Sequence, residues 1–257
     1  MIKISRPKNV PMRLQTAGKV ENNKNCADYS ADPKSYIEGT KTFEIKNGIY
    51  GDTTVKNALK AMQFSKCCFC EKDLKDEYGA VEHFRPKGGY KLTKKQKNLI
   101  KPGYYWLGYE WINLFFVCSH CNSAGNKGNL FPLLDESKRA KSHKVKVGGE
   151  TPLLLDPGGR KNPRTHIIFE GQFPRGKTLY GEKTIEICGL GRDALNNMRK
   201  KLIGDIDARI AILDSSSHQK RSTVAKARRF IRDSIKADAQ FSATAIDYLS
   251  TLNVSFD

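Results

Sequence analysis

Apolar positions are spread unevenly along this chain, and their spacing divides it into three stretches, 1–65, 66–132 and 133–257. In residues 1–50 hydrophobic side chains are sparse. Pro7, Pro11, Pro33 and the pair Asn22-Asn23 interrupt them, so a polar arm with little regular structure is expected. Val55, Leu59 and Met62 then recur at steps of four and three behind Asp52-Thr53, which predicts a short capped helix. Residues 151–190 read as short strands and turns, with Leu153-Leu154-Leu155-Asp156-Pro157-Gly158-Gly159 and Thr165-His166-Ile167-Ile168-Phe169 as the apolar runs. From Asp193 the period becomes helical through Leu195, Met198, Leu202, Ile206, Ile210 and Leu213. Ser215-Ser216-Ser217 breaks it, and Val224, Ala227, Ile231 and Ile235 predict a second helix antiparallel to the first. Strands in the middle and helices at the end make the fold class α+β.

Charge adds a ligand class to this outline. Among 257 residues there are 45 Lys and Arg against 27 Asp and Glu, a formal net charge of +18. A field of that sign attracts polyanions, nucleic acid first among them, with an acidic protein partner as the alternative. Basic residues collect in two places. Tyr90–Lys101 is a lysine-rich insertion (Lys91, Lys94, Lys95, Lys97, Lys101) that can face nucleic acid or solvent. The second helix carries Arg221, Lys226, Arg228, Arg229, Arg232 and Lys236 around its apolar stripe; a solvated face is the default there, phosphate binding the alternative. Tyr104, Tyr105, Trp106, Tyr109 and Trp111 can stack on unpaired bases, although packing is the expected job for most of them. No apolar run is long enough to span a bilayer and no signal core follows Met1-Ile2-Lys3-Ile4-Ser5-Arg6, so the expected location is the cytoplasm.

In a reducing compartment seven cysteines, an odd number, argue for metal ligation over disulfides. Cys26 and Cys188 stand alone and read as plain buried thiols. Two Cys-x-x-Cys clips, Cys67/Cys70 and Cys118/Cys121, suit one tetrahedral structural zinc. Cys68 is an alternative to Cys67 at a tighter spacing; His120, inside the second clip, can coordinate metal, but an exposed loop residue is the expected reading because the clip already supplies two thiolates. Between the clips lie Glu82-His83-Phe84-Arg85-Pro86 and Trp111-Ile112-Asn113-Leu114. Hydrolysis of a phosphodiester needs a base, a cation to offset phosphate charge, and a group to orient the base. His83 fits the base, Asn113 its orienting partner, and Glu82 and Asn122 the oxygen ligands of magnesium or manganese. Asn126 is a spare ligand. Arg85, Lys87 and Lys127 are candidate phosphate contacts.

Gly171-Gln172-Phe173-Pro174-Arg175-Gly176-Lys177-Thr178 matches the pattern of a phosphate-binding loop, but Leu179–Thr184 is a poor helix start and no later strand ends in a magnesium-binding Asp. A hairpin turn is the better reading.

The strings Glu82-His83-Phe84-Arg85-Pro86-Lys87, Trp111-Ile112-Asn113-Leu114 and Cys121-Asn122-Ser123-Ala124-Gly125-Asn126-Lys127-Gly128 resemble the PtuB-like HNH endonucleases of Septu and retron anti-phage systems. Leu154-Leu155-Asp156-Pro157 and Gly189-Leu190-Gly191-Arg192 are similar to the same group, so the resemblance covers about residues 66 to 200. It implies a zinc-braced ββα-metal core (the His-Me finger) over 66–132; the arm and short helix read from the pattern over 1–65 precede that core, and the strand/turn segment and basic helices of 133–257 follow it. It also implies His83 as general base, Asn113 as the middle Asn, Asn122 as the closing metal ligand, Glu82 at a position that is Asp in many relatives, and an ATPase partner resembling PtuA. The alternative from another class is a non-catalytic zinc knuckle that binds nucleic acid or that ATPase.

Overall fold

The computed structural model describes residues 1–252, a mixed α+β fold. Its first stretch departs from the expected unstructured arm. A π-helical turn, Leu14–Gly18, leads into helices α1 (Lys19–Ala31) and α2 (Pro33–Glu38), followed by the short α3 (Asn47–Tyr50) and α4 (Thr53–Met62). The apolar period gave no sign of α1 because α1 buries only Asn25 and Tyr29 and has no apolar stripe. What holds this stretch is aromatic stacking. Phe43 lies 4.1 Å from the rings of both Tyr36 and Tyr105, and Tyr29 lies 5.0 Å from Tyr105. Nearer the start of the arm, the Arg6 guanidinium donates to the carbonyls of Trp111 (2.6 Å) and Leu114 (3.1 Å). Tyr104, Tyr105, Trp106, Tyr109 and Trp111 are all buried and build this core instead of offering rings to a ligand.

α4 matches its sequence pattern: Asp52 accepts from the Thr54 amide (2.9 Å) as its cap, and Val55 and Leu59 are fully buried. From α4 the chain enters the first cysteine clip and then strand β1 (Ala80–His83), which pairs antiparallel with β2 (Leu114–Val117). The register sets Glu82 opposite Phe115 and His83 opposite Leu114. The outer edge of β2 is covered by Gln63, whose side-chain amide donates to the Phe116 carbonyl (2.7 Å) and accepts from the Phe116 amide (2.9 Å). This satisfies edge groups that would otherwise be buried unpaired. Helix α5 (Ser119–Asn122) follows β2 directly and packs against β1.

Past residue 150 the chain forms α6 (Pro163–His166), a hairpin of β3 (Ile167–Glu170) and β4 (Phe173–Gly176), and α7 (Leu179–Cys188). The phosphate-loop look-alike is therefore a hairpin turn and strand: Gly171, at φ +57°, turns the hairpin, and β4 carries Phe173 to Gly176 extended. A helix does open at Leu179, capped by Thr178, where the sequence reading saw none. Gly189 ends α7 in the left-handed region (φ +58°), and a Cβ there would collide with the Asn126 side chain.

The two expected C-terminal helices are α8 (Asp193–Asp214) and α9 (Arg221–Ser234), joined by a short turn and packed on each other. A third helix, α10 (Ser242–Thr251), was not read from the sequence. One hydrophobic core extends from Met1 to Ala243, and a smaller one joins Ile206, Ile231, Ala245 and Leu249 of α8, α9 and α10. No helix among the described residues is long and apolar enough to cross a membrane.

Candidate functional site

The four clip cysteines come together. Cys67, Cys70, Cys118 and Cys121 are buried, and their sulfurs all lie within 4.8 Å of one another. Cys70 and Cys118 are 3.8 Å apart, matching the edge of a tetrahedron with zinc–sulfur bonds of about 2.3 Å. The cluster can bind zinc. Cys68, also buried, is outside the group of four. The second clip bends around the start of α5, where the Cys121 amide donates to the Cys118 sulfur (3.4 Å). Arg192, between α7 and α8, points two guanidinium nitrogens at this cluster, 3.6 Å from the Cys121 sulfur and 3.9 Å from that of Cys118. A cation there offsets the negative charge of four thiolates on one divalent metal. Nothing in the spacing of the clips announces Arg192.

A cavity of about 600 Å³ opens beside β1 and α5. His83, Glu82 and Asn122 all line it, so three of the four residues assigned to chemistry share one space. The His83 ring is buried, with Nε2 2.9 Å from the Gly108 carbonyl and the Tyr50 ring edge-on at 4.6 Å. A carbonyl only accepts, so Nε2 carries the proton and Nδ1 holds the free lone pair of a base. Burial, then the nearby Lys87 charge, pushes the His83 pKa well below its ordinary value, which keeps the ring neutral.

Asn113 does not reach the His83 ring, contrary to the orienting role read from the sequence. Its Oδ1 accepts from the Arg85 amide (2.8 Å), and its Nδ2 donates to the carbonyls of Arg85 (3.0 Å) and Leu107 (3.1 Å). It ties the backbone just after His83 to the backbone just before Gly108. The orienting contact on the ring is the Gly108 carbonyl, a main-chain group that no residue type could signal.

Glu82 is buried and its Oε1 is paired with the Lys127 ammonium, which also donates to the His83 carbonyl (2.7 Å). Burial raises the Glu82 pKa while Lys127 pulls it down. Lys127 is fully buried and is no free phosphate contact; its charge belongs to Glu82. Arg85 also departs from the phosphate role. Its Nε donates to Glu150 (2.8 Å), a carboxylate that also accepts from the Tyr104 hydroxyl (2.8 Å) and the Ala140 amide (2.9 Å). Arg139 completes this buried network through the Tyr104 hydroxyl (2.7 Å). Glu150→Ala should therefore cost about 3–5 kcal/mol in urea unfolding, because it leaves Arg85 uncompensated in the interior; a loss under about 1 kcal/mol would show that the network is not what holds this segment. Asn126 is engaged with the His120 carbonyl (2.8 Å) and the Ser123 hydroxyl (3.1 Å) and does not line the cavity, so it is not a spare ligand there. His120 is exposed.

Lys87 stays at the cavity, its Nζ donating to the Tyr50 hydroxyl (3.0 Å). Lys91 and Lys94 of the lysine-rich insertion line the same space, as does Lys56 of α4. Among the described residues the only carboxylate lining it is Glu82, already paired with Lys127. The cavity is thus a cationic cleft with a neutral imidazole in its wall. Lys56, Tyr50 and the 98% exposed Tyr78 at its lining were missed by sequence reasoning, since only the fold brings them to β1.

Over 184 residues the chain is 38% identical to the Septu protein PtuB of Bacillus mycoides (strain KBAB4), covering 69% of this chain and 61% of that protein. It is 29% identical over 148 residues to the Septu protein PtuB of Bacillus thuringiensis, covering 57% and 44%. It is also 28% identical over 143 residues to the Septu protein PtuA of Bacillus mycoides (strain KBAB4), covering 55% and 20%. The chain spans less than two thirds of the length of each. No protein-family profile matches the chain, and no solved structure matches it.

Proposed function

We propose that this chain is the nuclease of a Septu-type anti-phage system, an HNH-type endonuclease that hydrolyses phosphodiester bonds of nucleic acid. The observation that carries the reading is the His83 ring: protonated at Nε2 by its bond to Gly108, neutral, and set in a cleft lined by four lysines besides Lys127. The order β1, β2, α5, with the base at the end of β1 and Asn122 at the end of α5, supports a ββα-metal core. The similarity to PtuB supports the defence role, and with that similarity comes a PtuA-like ATPase as the partner.

In this reading Lys56, Lys87, Lys91 and Lys94 draw the phosphate into the cleft. His83 Nδ1 takes a proton from water, the water oxygen bonds to phosphorus, and the bond from phosphorus to the departing ester oxygen breaks; solvent protonates that oxygen. Asn122 and Glu82 both line the cleft, and their side-chain oxygens are hard ligands that fit magnesium or manganese. That cation, when bound, offsets charge on the phosphate and on the departing oxygen. Lys127 and the four-cysteine zinc stay out of the chemistry: one holds Glu82, the other holds α5. Tyr78 offers a ring to an unpaired base at the rim.

The direct test incubates the purified chain, alone and with a PtuA-like ATPase and ATP, with labelled DNA and RNA in magnesium or manganese. Cleavage that disappears with a chelator is expected. If no nucleic acid is cut in any combination, the non-catalytic zinc module replaces this reading.

A further inference from the structure

Helix α9 has a charge pattern that its packing does not explain. Between Arg221 and Ser234 it carries five basic residues and one acid, Asp233. Its neighbour α8, in the same helical lobe, carries four of each sign. All five basic residues of α9 are exposed. Only Arg229 has an ionic partner among the described residues, Asp233 at 3.6 Å, and that carboxylate is shared with Lys236 at 2.6 Å.

The positions are ordered. At 100° per residue Arg221, Arg228 and Arg232 fall within about 40° of one another, on a flank of the helix roughly 100° round from the buried Ala227 and Ile231. They form a ridge with a guanidinium every ~6 to ~10 Å along the axis. Like charges four residues apart destabilise a helix, and so does a basic first turn facing the positive end of the helix dipole. α9 begins with Lys220-Arg221 and has no side-chain cap. The ridge therefore works against the helix that bears it, and a purely solubilising face would mix both signs as α8 does.

Three occupants suit a basic helix, and two are closed here. A basic amphipathic helix on a membrane inserts its apolar face, but Ile231 and Phe230 are packed against Ile206 in the small core. An acidic protein interface needs an apolar or aromatic centre, and among the described residues the large apolar side chain exposed beside the ridge is Ile235, a single residue 38% exposed at its C-terminal end, too little for such a centre. What remains is a regular array of phosphates. We infer that α9 is a second nucleic-acid contact, distinct from the His83 cleft, which grips the phosphate backbone without reading sequence. This inference rests on the proposed nucleic-acid substrate.

The test measures binding, so that it is read independently of cutting. In a His83→Ala background, the affinity for a fluorescein-labelled DNA duplex is followed by anisotropy over a salt series. The combined change Arg221→Gln, Arg228→Gln and Arg232→Gln should weaken binding tenfold or more at ~0.1 M salt and flatten the slope of log affinity against log salt by between about 2 and 3. An equal charge loss at Lys19, Lys24 and Lys34 should change the slope by less than about 1. The inference is overturned if the ridge variant, folded by circular dichroism, keeps the parent slope, if both triple variants lose it equally, or if the parent binds no duplex. A chain that never cuts, yet loses the slope on the ridge, would sink the nuclease reading and leave the ridge standing.

Discussion

Cys118→Ser should leave the protein without its metal and without a folded core. A structural zinc on four thiolates contributes on the order of 10–16 kcal/mol of apparent binding energy, as much as the whole stability of an ordinary domain. Cys118 does more than supply one ligand atom. It precedes α5, its sulfur accepts from the Cys121 amide, and it follows the last residue of β2. The four cysteines lie in the main core beside Phe69, Leu74 and Phe116, all fully buried. Metal analysis should find about one zinc per chain in the parent and none in the variant. Circular dichroism should show a cooperative melt only in the parent, and a chelator should reproduce the loss. A well-folded, metal-free Cys118→Ser protein would reject the structural zinc.

His83→Ala should lower cleavage by about 10²- to 10⁴-fold, the usual worth of a positioned general base, while zinc content stays that of the parent. Asn113→Ala should act differently. Its amide joins Arg85 to Leu107, and Gly108 next to Leu107 carries the carbonyl that orients the His83 ring. Its removal should lower stability by about 1–3 kcal/mol, since buried carbonyls lose a donor, and lower cleavage through that loosening. If His83→Ala cut at the parental rate, His83 would not be the base, whatever the cleft binds.

The parts of this site that were legible in the sequence are those fixed by local spacing. The clips declare themselves because two thiolates three residues apart can reach one metal, and Glu82-His83 on a short ribbon follows from their place just after the first clip. The groups that turned out differently are set by burial and by main-chain partners. Arg85 and Lys127 look like any basic residue near a phosphate site, and only the fold reveals that Glu150 and Glu82 have claimed them. Asn113 was read as a side-chain partner of His83, although its bonds all go to backbone. The same holds for the fold. α8 and α9 have strong apolar periods and were legible, whereas α1 is held by rings stacked from distant segments and α7 was hidden behind a strand-like run.

The pairing of β1 with β2 has a consequence for how the chain tolerates change in length. Strand side chains alternate faces, so inserting one residue in Ala80–His83 would exchange the faces of Glu82 and His83, and every group built around them would meet the wrong partner. The lysine-bearing insertion is different. Tyr90 and Ile100 bond to each other across its base, at 3.0 and 2.8 Å, and residues 93–98 lie beyond that closure. The hairpin is thus a reading frame that cannot slip by one, whereas residues added at the tip, 93–98, would change how far Lys94 and its neighbours reach into the cleft without moving the base.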